Sequence, residues 1–186
     1  MTKRHDLEYH YTEILKMMGF DLNNPDFEET PQRIAKVMKY LLRGHTDEAS
    51  LDLQDHLRRV FPSNYDEMIF IRNVTAYGVC PHHFLPVTYR VDLAYLPQSD
   101  VIGASKPVRL IKTLAAKAQK QEDLTNDIIT IFDKAVQPRG TAVRIIGQHS
   151  CMRIRGIESQ DSDMLTIQLS GVLKNPTSKQ EFLRMI

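Results

Sequence analysis

Val87-Thr88-Tyr89-Arg90-Val91-Asp92-Leu93-Ala94-Tyr95-Leu96 carries apolar Val91, Leu93 and Tyr95 in alternation with charged Arg90 and Asp92. Successive side chains on a strand point to opposite faces, so this spacing predicts a β-strand with one face in a core and one in water. Met68-Ile69-Phe70-Ile71 lies before it as a second strand, and Thr141 to His149 and about Leu165 to Leu173 read as two more. Between these strand pairs, Lys106 to Gln119 sets Val108, Ile111, Leu114, Ala115 and Ala118 on one helical side, with Ser105 as the expected N-cap. Leu124 to Val136 predicts another helix, ended by Pro138 and Gly140.

The flanks are helical in pattern. Leu7 to Met18 has helical spacing and stops at Gly19. Thr30 is placed as N-cap before Pro31, with Ile34, Val37, Met38 and Leu41 as an apolar stripe and Gly44 as the stop. Ser178-Lys179-Gln180-Glu181 reads as the capping box of a final short helix. Two strand pairs separated by helices predict an α+β fold, an antiparallel sheet covered on one face. One domain is expected over residues 1–186, with 1–60 as a helical N-terminal extension and 65–186 as the catalytic core. There is no repeat, low-complexity tract or Gly/Ser linker to suggest another.

At 186 residues with a formal charge of +1, the chain has enough length for a real core and no global attraction to nucleic acid or anionic membrane. Met1 to Asp6 is polar, and no stretch approaches the roughly 18 apolar residues of a membrane span. Two cysteines without a secretion signal suit a reducing cytoplasm, where such a pair is more often metal-binding or catalytic than a disulfide.

Those cysteines sit in two Cys/His motifs, Cys80-Pro81-His82-His83 and His149-Ser150-Cys151. Thiolate and imidazole are preferred zinc ligands, and two thiolates with one imidazole leave a fourth position for water. Cys80 and His83, three apart in a turn, are close enough to share an ion. His149 and Cys151, two apart near a strand end, are expected on the same face, so that one can ligate while the other stands beside the metal. His82 and His83 cannot easily both bind, which frees one imidazole for proton transfer. A closed structural site of two Cys and two His is the competing arrangement. His5, His10 and His45 read as ordinary exposed or hydrogen-bonded side chains.

Two further groupings are notable. Ser105-Lys106-Pro107-Val108-Arg109 opens a helix, where free N–H groups attract anions; Lys106 and Arg109 share a face, and Arg155 is a third cation near the metal motif. Gln119 to Thr125 falls between the two central helices. A carboxylate beside an amide there suits the N–H edge of a guanine or pterin ring, although a polar interhelix turn has the same composition.

Together, Cys80-x-His82-His83, Ile102-Gly103-x-Ser105-Lys106-x-x-Arg109, Gln119-x-Gln121-Glu122, Pro138-Arg139-Gly140 and His149-x-Cys151-Met152-x-x-Arg155-Gly156 resemble GTP cyclohydrolase I, over most of the chain from about Glu29 to Leu183. The resemblance implies the tunnelling fold, a four-stranded antiparallel sheet with two helices on one face. It implies Zn2+ held by Cys80, His83 and Cys151, and hydrolysis of GTP at C8 to 7,8-dihydroneopterin triphosphate and formate. His82, His149 and Ser105 would be catalytic. Lys106, Arg109 and Arg155 would bind the triphosphate, and Gln121 and Glu122 the guanine. A cytoplasmic homo-oligomer, a toroidal decamer with sites between subunits, is implied as well. Pro81, Gly78, Asp123 and the stretch Ser162 to Thr166 depart from the usual pattern: Pro81 stands for an acidic residue, Gly78 for serine and Asp123 for arginine. The competing functions are the same pocket acting on another guanine nucleotide or a pterin, and a non-catalytic purine- or pterin-binding regulator with structural zinc.

Overall fold

A computed structural model describes residues 6–46, 57 and 59–186. His5, and residues 47–56 and 58 of the stretch expected to be helical, lie outside them. The chain divides into two compact units, Met1–Leu42 and Arg43–Ile186.

In the first unit, α1 (Leu7–Met17) is capped by Asp6, whose carboxylate accepts the Tyr9 N–H at 3.0 Å. Gly19, at φ +84°, turns the chain away where the sequence places the stop. In α2 (Thr30–Leu41), Thr30 is the first helical residue rather than the cap; the cap position is Glu29, and its carboxylate instead meets Arg33 at 2.7 Å. The expected stripe is only half-buried, with Val37 53% exposed, and Pro31 and Ala35 are the buried residues. Gly44 does not end α2 either. It lies in a separate 3₁₀ turn, η1 (Arg43–His45), in the second unit.

The second unit is built on the four-stranded antiparallel sheet that the alternation predicts, in the order β2 (Ile69–Val79), β3 (Pro86–Leu96), β5 (Gly140–His149), β6 (Met164–Leu169). β2 runs eight residues beyond the apolar run that signals it. A bulge between Ile71 and Val74, with Asn73 at φ +58°, breaks the period there and hides the continuation. Two short strands absent from the periodicity, β1 (Val60–Pro62) and β4 (Asp100–Ile102), pair separately.

One face of the sheet is covered by α3 (Ser105–Ala115) and α4 (Gln121–Val136). Leu110, Ile111, Leu114, Leu124, Ile128 and Phe132 pack there among Tyr89, Val91, Leu93, Tyr95, Val143 and Ile145. The opposite face is covered at one end. η2 (Gly171–Lys174) and α6 (Pro176–Met185) bring Leu173 and Phe182 against Ala94 and Ala142. β3 therefore alternates only as far as Val91 and is buried on both faces beyond it. Asp92, expected in water, is buried, accepting from Asn73 N–H at 2.8 Å and from Arg144 at 3.3 Å.

Several element ends also differ. Ser105 is the first residue of α3 and makes no cap bond, and α3 stops at Ala115 rather than Gln119. α4 starts at Gln121, so Gln121 to Asp123 form its first turn instead of an interhelix loop. β6 ends at Leu169 because Gly171, at φ +52°, bends the chain into η2. α6 is capped by Asn175, which accepts from Thr177 N–H at 3.0 Å, three residues ahead of Ser178, the expected cap.

Candidate functional site

The antiparallel register pairs Val87 with His149, which sets the end of β5 beside the turn from β2 to β3. That turn is Cys80 to Leu85. Cys80 N–H donates to Leu85 O at 2.9 Å, and Phe84 N–H donates to Cys80 O at 2.9 Å. After His149 the chain bends into a single helical turn, α5 (Ser150–Arg153), that carries Cys151. Strand alternation therefore stops at His149, and Cys151 is placed by this bend.

The result is one cluster. Sulfur of Cys80, sulfur of Cys151 and a ring nitrogen of His83 all lie within 4.8 Å of one another, and the Cys80 Sγ to His83 Nδ1 distance is 3.7 Å. Zinc–sulfur and zinc–nitrogen bonds meeting at a tetrahedral angle span about 3.6 Å between donors, so this edge already has the length a metal requires. Both cysteines are free thiols. Burial, and the sulfur of Cys80 beside it, raise the Cys151 thiol above its ordinary range, while Arg155 acts in the opposite sense. A buried thiol beside a second sulfur is a donor that a divalent cation stabilises as the thiolate. The two thiols and one imidazole therefore fit a metal ion with a position left open.

Around the triad, His82 Nδ1 lies 3.9 Å from Cys80 Sγ on the exposed side of the turn. Arg155 donates to His83 Nε2, which leaves Nδ1 as the nitrogen facing Cys80. His149 is half-buried, and its Nε2 is 3.0 Å from Gln121 Oε1. Burial lowers the proton affinity of His149 below that of an ordinary imidazole, and the Glu122 carboxylate opposes the shift. Glu122 itself is exposed at the start of α4. Gln121 is not: it is 1% exposed, and its amide is engaged entirely within the protein. Asp123 pairs with Lys120 at 3.3 Å, so the added negative charge is met locally.

Sequence reasoning missed Tyr89. Its ring stands edge-on to His149 at 6.2 Å between centroids, beneath the cluster. Burial pushes its phenol far above the ordinary value, with Cys80, Cys151 and Glu122 adding to the effect, so it is held as a neutral hydroxyl. Its parity with Val87, two positions earlier on β3, is the signal that could have placed it.

Ser105, Lys106 and Arg109 are elsewhere. α3 follows β4, whose Ile102 N–H donates to Tyr95 OH at 3.2 Å. Tyr95 is eight strand positions, roughly 26 Å, from the Val87 end of β3. The other end of α3 reaches the cluster, since Val79 N–H meets Lys117 O just beyond it. Ser105 thus starts a helix about 16 Å long that has the triad near its far end.

The sequence model of one protein family, described as GTP cyclohydrolase I, matches residues 7–186. The GTP cyclohydrolase 1 of Alkalilimnicola ehrlichii is 38% identical over 181 residues, covering 97% of this chain and 96% of the relative. That of Pseudoalteromonas atlantica is 37% identical over 183 residues, covering 97% of each. The GTP cyclohydrolase 1 of Porphyromonas gingivalis is 31% identical over 180 residues, 97% of this chain and 92% of the relative.

Proposed function

The chain belongs to the GTP cyclohydrolase I family, and on that premise we propose that it hydrolyses GTP to 7,8-dihydroneopterin triphosphate and formate, with zinc at the Cys80, His83 and Cys151 cluster. The observation that carries this reading is the convergence of those three donors within 4.8 Å. When bound, zinc supplies Lewis acidity and brings the pKa of a water toward 7.

The remaining roles belong to side chains around the cluster. His149, with its proton affinity lowered by burial, gives up a proton readily to the purine. His82, exposed at the rim of the turn, exchanges protons with solvent and substrate. Glu122 offers a carboxylate to the N–H edge of guanine, and Arg155 offers a guanidinium beside the triad. Ser105, Lys106 and Arg109 serve the ribose and triphosphate from the first turns of α3.

Because those turns lie at the other end of the helix from the triad in their own chain, the reading requires that a second copy bring its α3 to the cluster. A homo-oligomer with sites shared between subunits follows, and a toroidal decamer is the assembly we propose. No described helix is long and apolar enough to cross a membrane. The free thiols suit a reducing cytoplasm, which we propose as the compartment.

The deciding experiment incubates the zinc-loaded protein with GTP and looks for pterin fluorescence after oxidation and dephosphorylation. A fluorescent product with one formate released per GTP is expected. Tight GTP binding without product would sink the enzyme and leave a purine-binding regulator, and product only from another guanine nucleotide would reassign the substrate.

A further inference from the structure

Gln121 has a buried amide whose orientation is dictated by its neighbours. Its Nε2 lies 3.1 Å from Ile145 O, 2.8 Å from Met164 O and 3.1 Å from Thr166 Oγ1. Carbonyl oxygens only accept, so the NH₂ group must occupy this end, and the amide oxygen is turned to the other. There it lies 3.0 Å from His149 Nε2. An amide oxygen cannot donate, so a hydrogen bond at this position requires a proton on Nε2 of the imidazole. In the neutral ring, Nδ1 is then the one basic atom.

The backbone is arranged around the same contact. Gly147 is on β5 between Ile145 and His149, and a Cβ there would overlap Gln121 Oε1 and stand 3.1 Å from His149 Nε2. Only a residue without a side chain leaves room for the amide and the imidazole to meet. From the helix side, Thr125 Oγ1 donates to Gln121 O at 2.7 Å and lies 2.7 Å from Thr166 Oγ1, tying the first turn of α4 to β6.

We propose that Gln121 is a positioning residue that acts through His149, holding the imidazole as its Nε2–H tautomer so that proton transfer takes place at Nδ1. Recognition of the purine edge then falls on Glu122 and not on Gln121, whose amide is already spent on the protein. The proposal rests on the GTP reading for its catalytic consequence, but the tautomer can be read without turnover.

The test is a long-range proton–nitrogen correlation spectrum of the ¹⁵N-labelled, zinc-loaded protein, with His149 assigned by its loss in His149→Gln. The expected spectrum has a protonated Nε2 and an unprotonated Nδ1 in the unsubstituted protein. Gln121→Met, which keeps the length but offers no amide oxygen, should give a mixed tautomer. With GTP, kcat should fall about 10- to 100-fold, the usual effect of losing a group that orients a reacting imidazole, while KM holds within about twofold. If Gln121→Met does not fold, Gly147→Ala interrupts the same contact and should change the tautomer likewise. An Nδ1–H tautomer in the unsubstituted protein, or an unchanged tautomer in a folded Gln121→Met, overturns the proposal. So does a raised KM with unchanged kcat, the mark of a direct purine contact. An Nε2–H tautomer that depends on Gln121 in a protein inert toward GTP would sink the proposed function and leave the tautomer assignment standing.

Discussion

Phe84 donates its backbone N–H to the carbonyl of Cys80 at 2.9 Å, closing a turn in which Pro81 occupies the first inner position. That position needs no backbone donor, and the fixed φ of proline suits it. Phe84, at φ +54°, ends the turn. The unusual Pro81 is therefore compatible with presenting His82 and His83. Pro81→Ala should lower stability by about 0.4–1 kcal/mol through a more flexible unfolded chain. Zinc stoichiometry should not change. Denaturant midpoints and metal analysis on the same preparations check both.

Removing a ligand should differ from removing a proton handler. Cys151→Ala is expected to lose stoichiometric zinc and, with it, turnover. His149→Ala should retain the metal while turnover falls about 10²- to 10⁴-fold. Metal content by mass spectrometry separates the two, and full zinc in Cys151→Ala would disprove the ligand assignment.

The shared site proposed above would make defective subunits complementary. Lys106→Ala and Cys151→Ala should each be nearly inactive alone. Unfolded, mixed in equal amounts and refolded, they should recover about a quarter of the unsubstituted turnover, the share of sites drawing both parts from intact segments. Zero recovery from properly assembled mixtures would argue that each chain completes its own site.

Tyr95 predicts an alkaline limit. Its buried hydroxyl is raised above the ordinary phenol value by burial, with the Ile102 N–H acting against that shift. A raised folded pKa favours the neutral form, so the stabilisation is complete below the unfolded value of about 10 and is lost as pH climbs above it. Unfolding free energy should decline above about pH 10 and decline less steeply in Tyr95→Phe. At neutral pH the same substitution should cost about 1–2 kcal/mol, because Ile102 N–H loses its acceptor. Urea titrations across that pH range provide both measurements.

Asp92→Ala should be among the most damaging substitutions outside the site. It strands Arg144 and the bulged Asn73 N–H, both of which lie against the Asp92 carboxylate. A loss of about 3 kcal/mol is expected, as for other half-removed buried pairs, with no change in metal binding. Calorimetry and metal analysis check it.

These residues also mark how far the chain could be understood without coordinates. Val91, Leu93 and Tyr95 announce their strand because one face is apolar. Cys80, His83 and Cys151 announce a metal because few other roles need those types together. Asp92 was hidden because nothing near it in sequence indicates that η2 and α6 return to cover the second face. The first turn of α4 was hidden for a local reason: Lys120 precedes Gln121 without a capping side chain. Gln121 was hidden for a deeper one. Its partners Ile145, Met164, Thr166 and His149 come from two other strands, and only the pairing register brings them to one amide. The separation of Ser105 from Cys80 has the same origin, since helix direction relative to the sheet is a property of the assembled fold.

The donors of the cluster also have a consequence for how the chain is assembled in time. Roughly seventy residues separate Cys80 from Cys151, and they become neighbours only after β2, β3 and β5 have paired. An ion seated there ties off that long segment like a clasp, and the site cannot exist in a chain that has folded only in part. Binding of a metal by all three donors would accordingly require β2, β3 and β5 to be paired. Uptake kinetics would then act as a clock for folding, with removal of the ion loosening the whole β2–β5 region together.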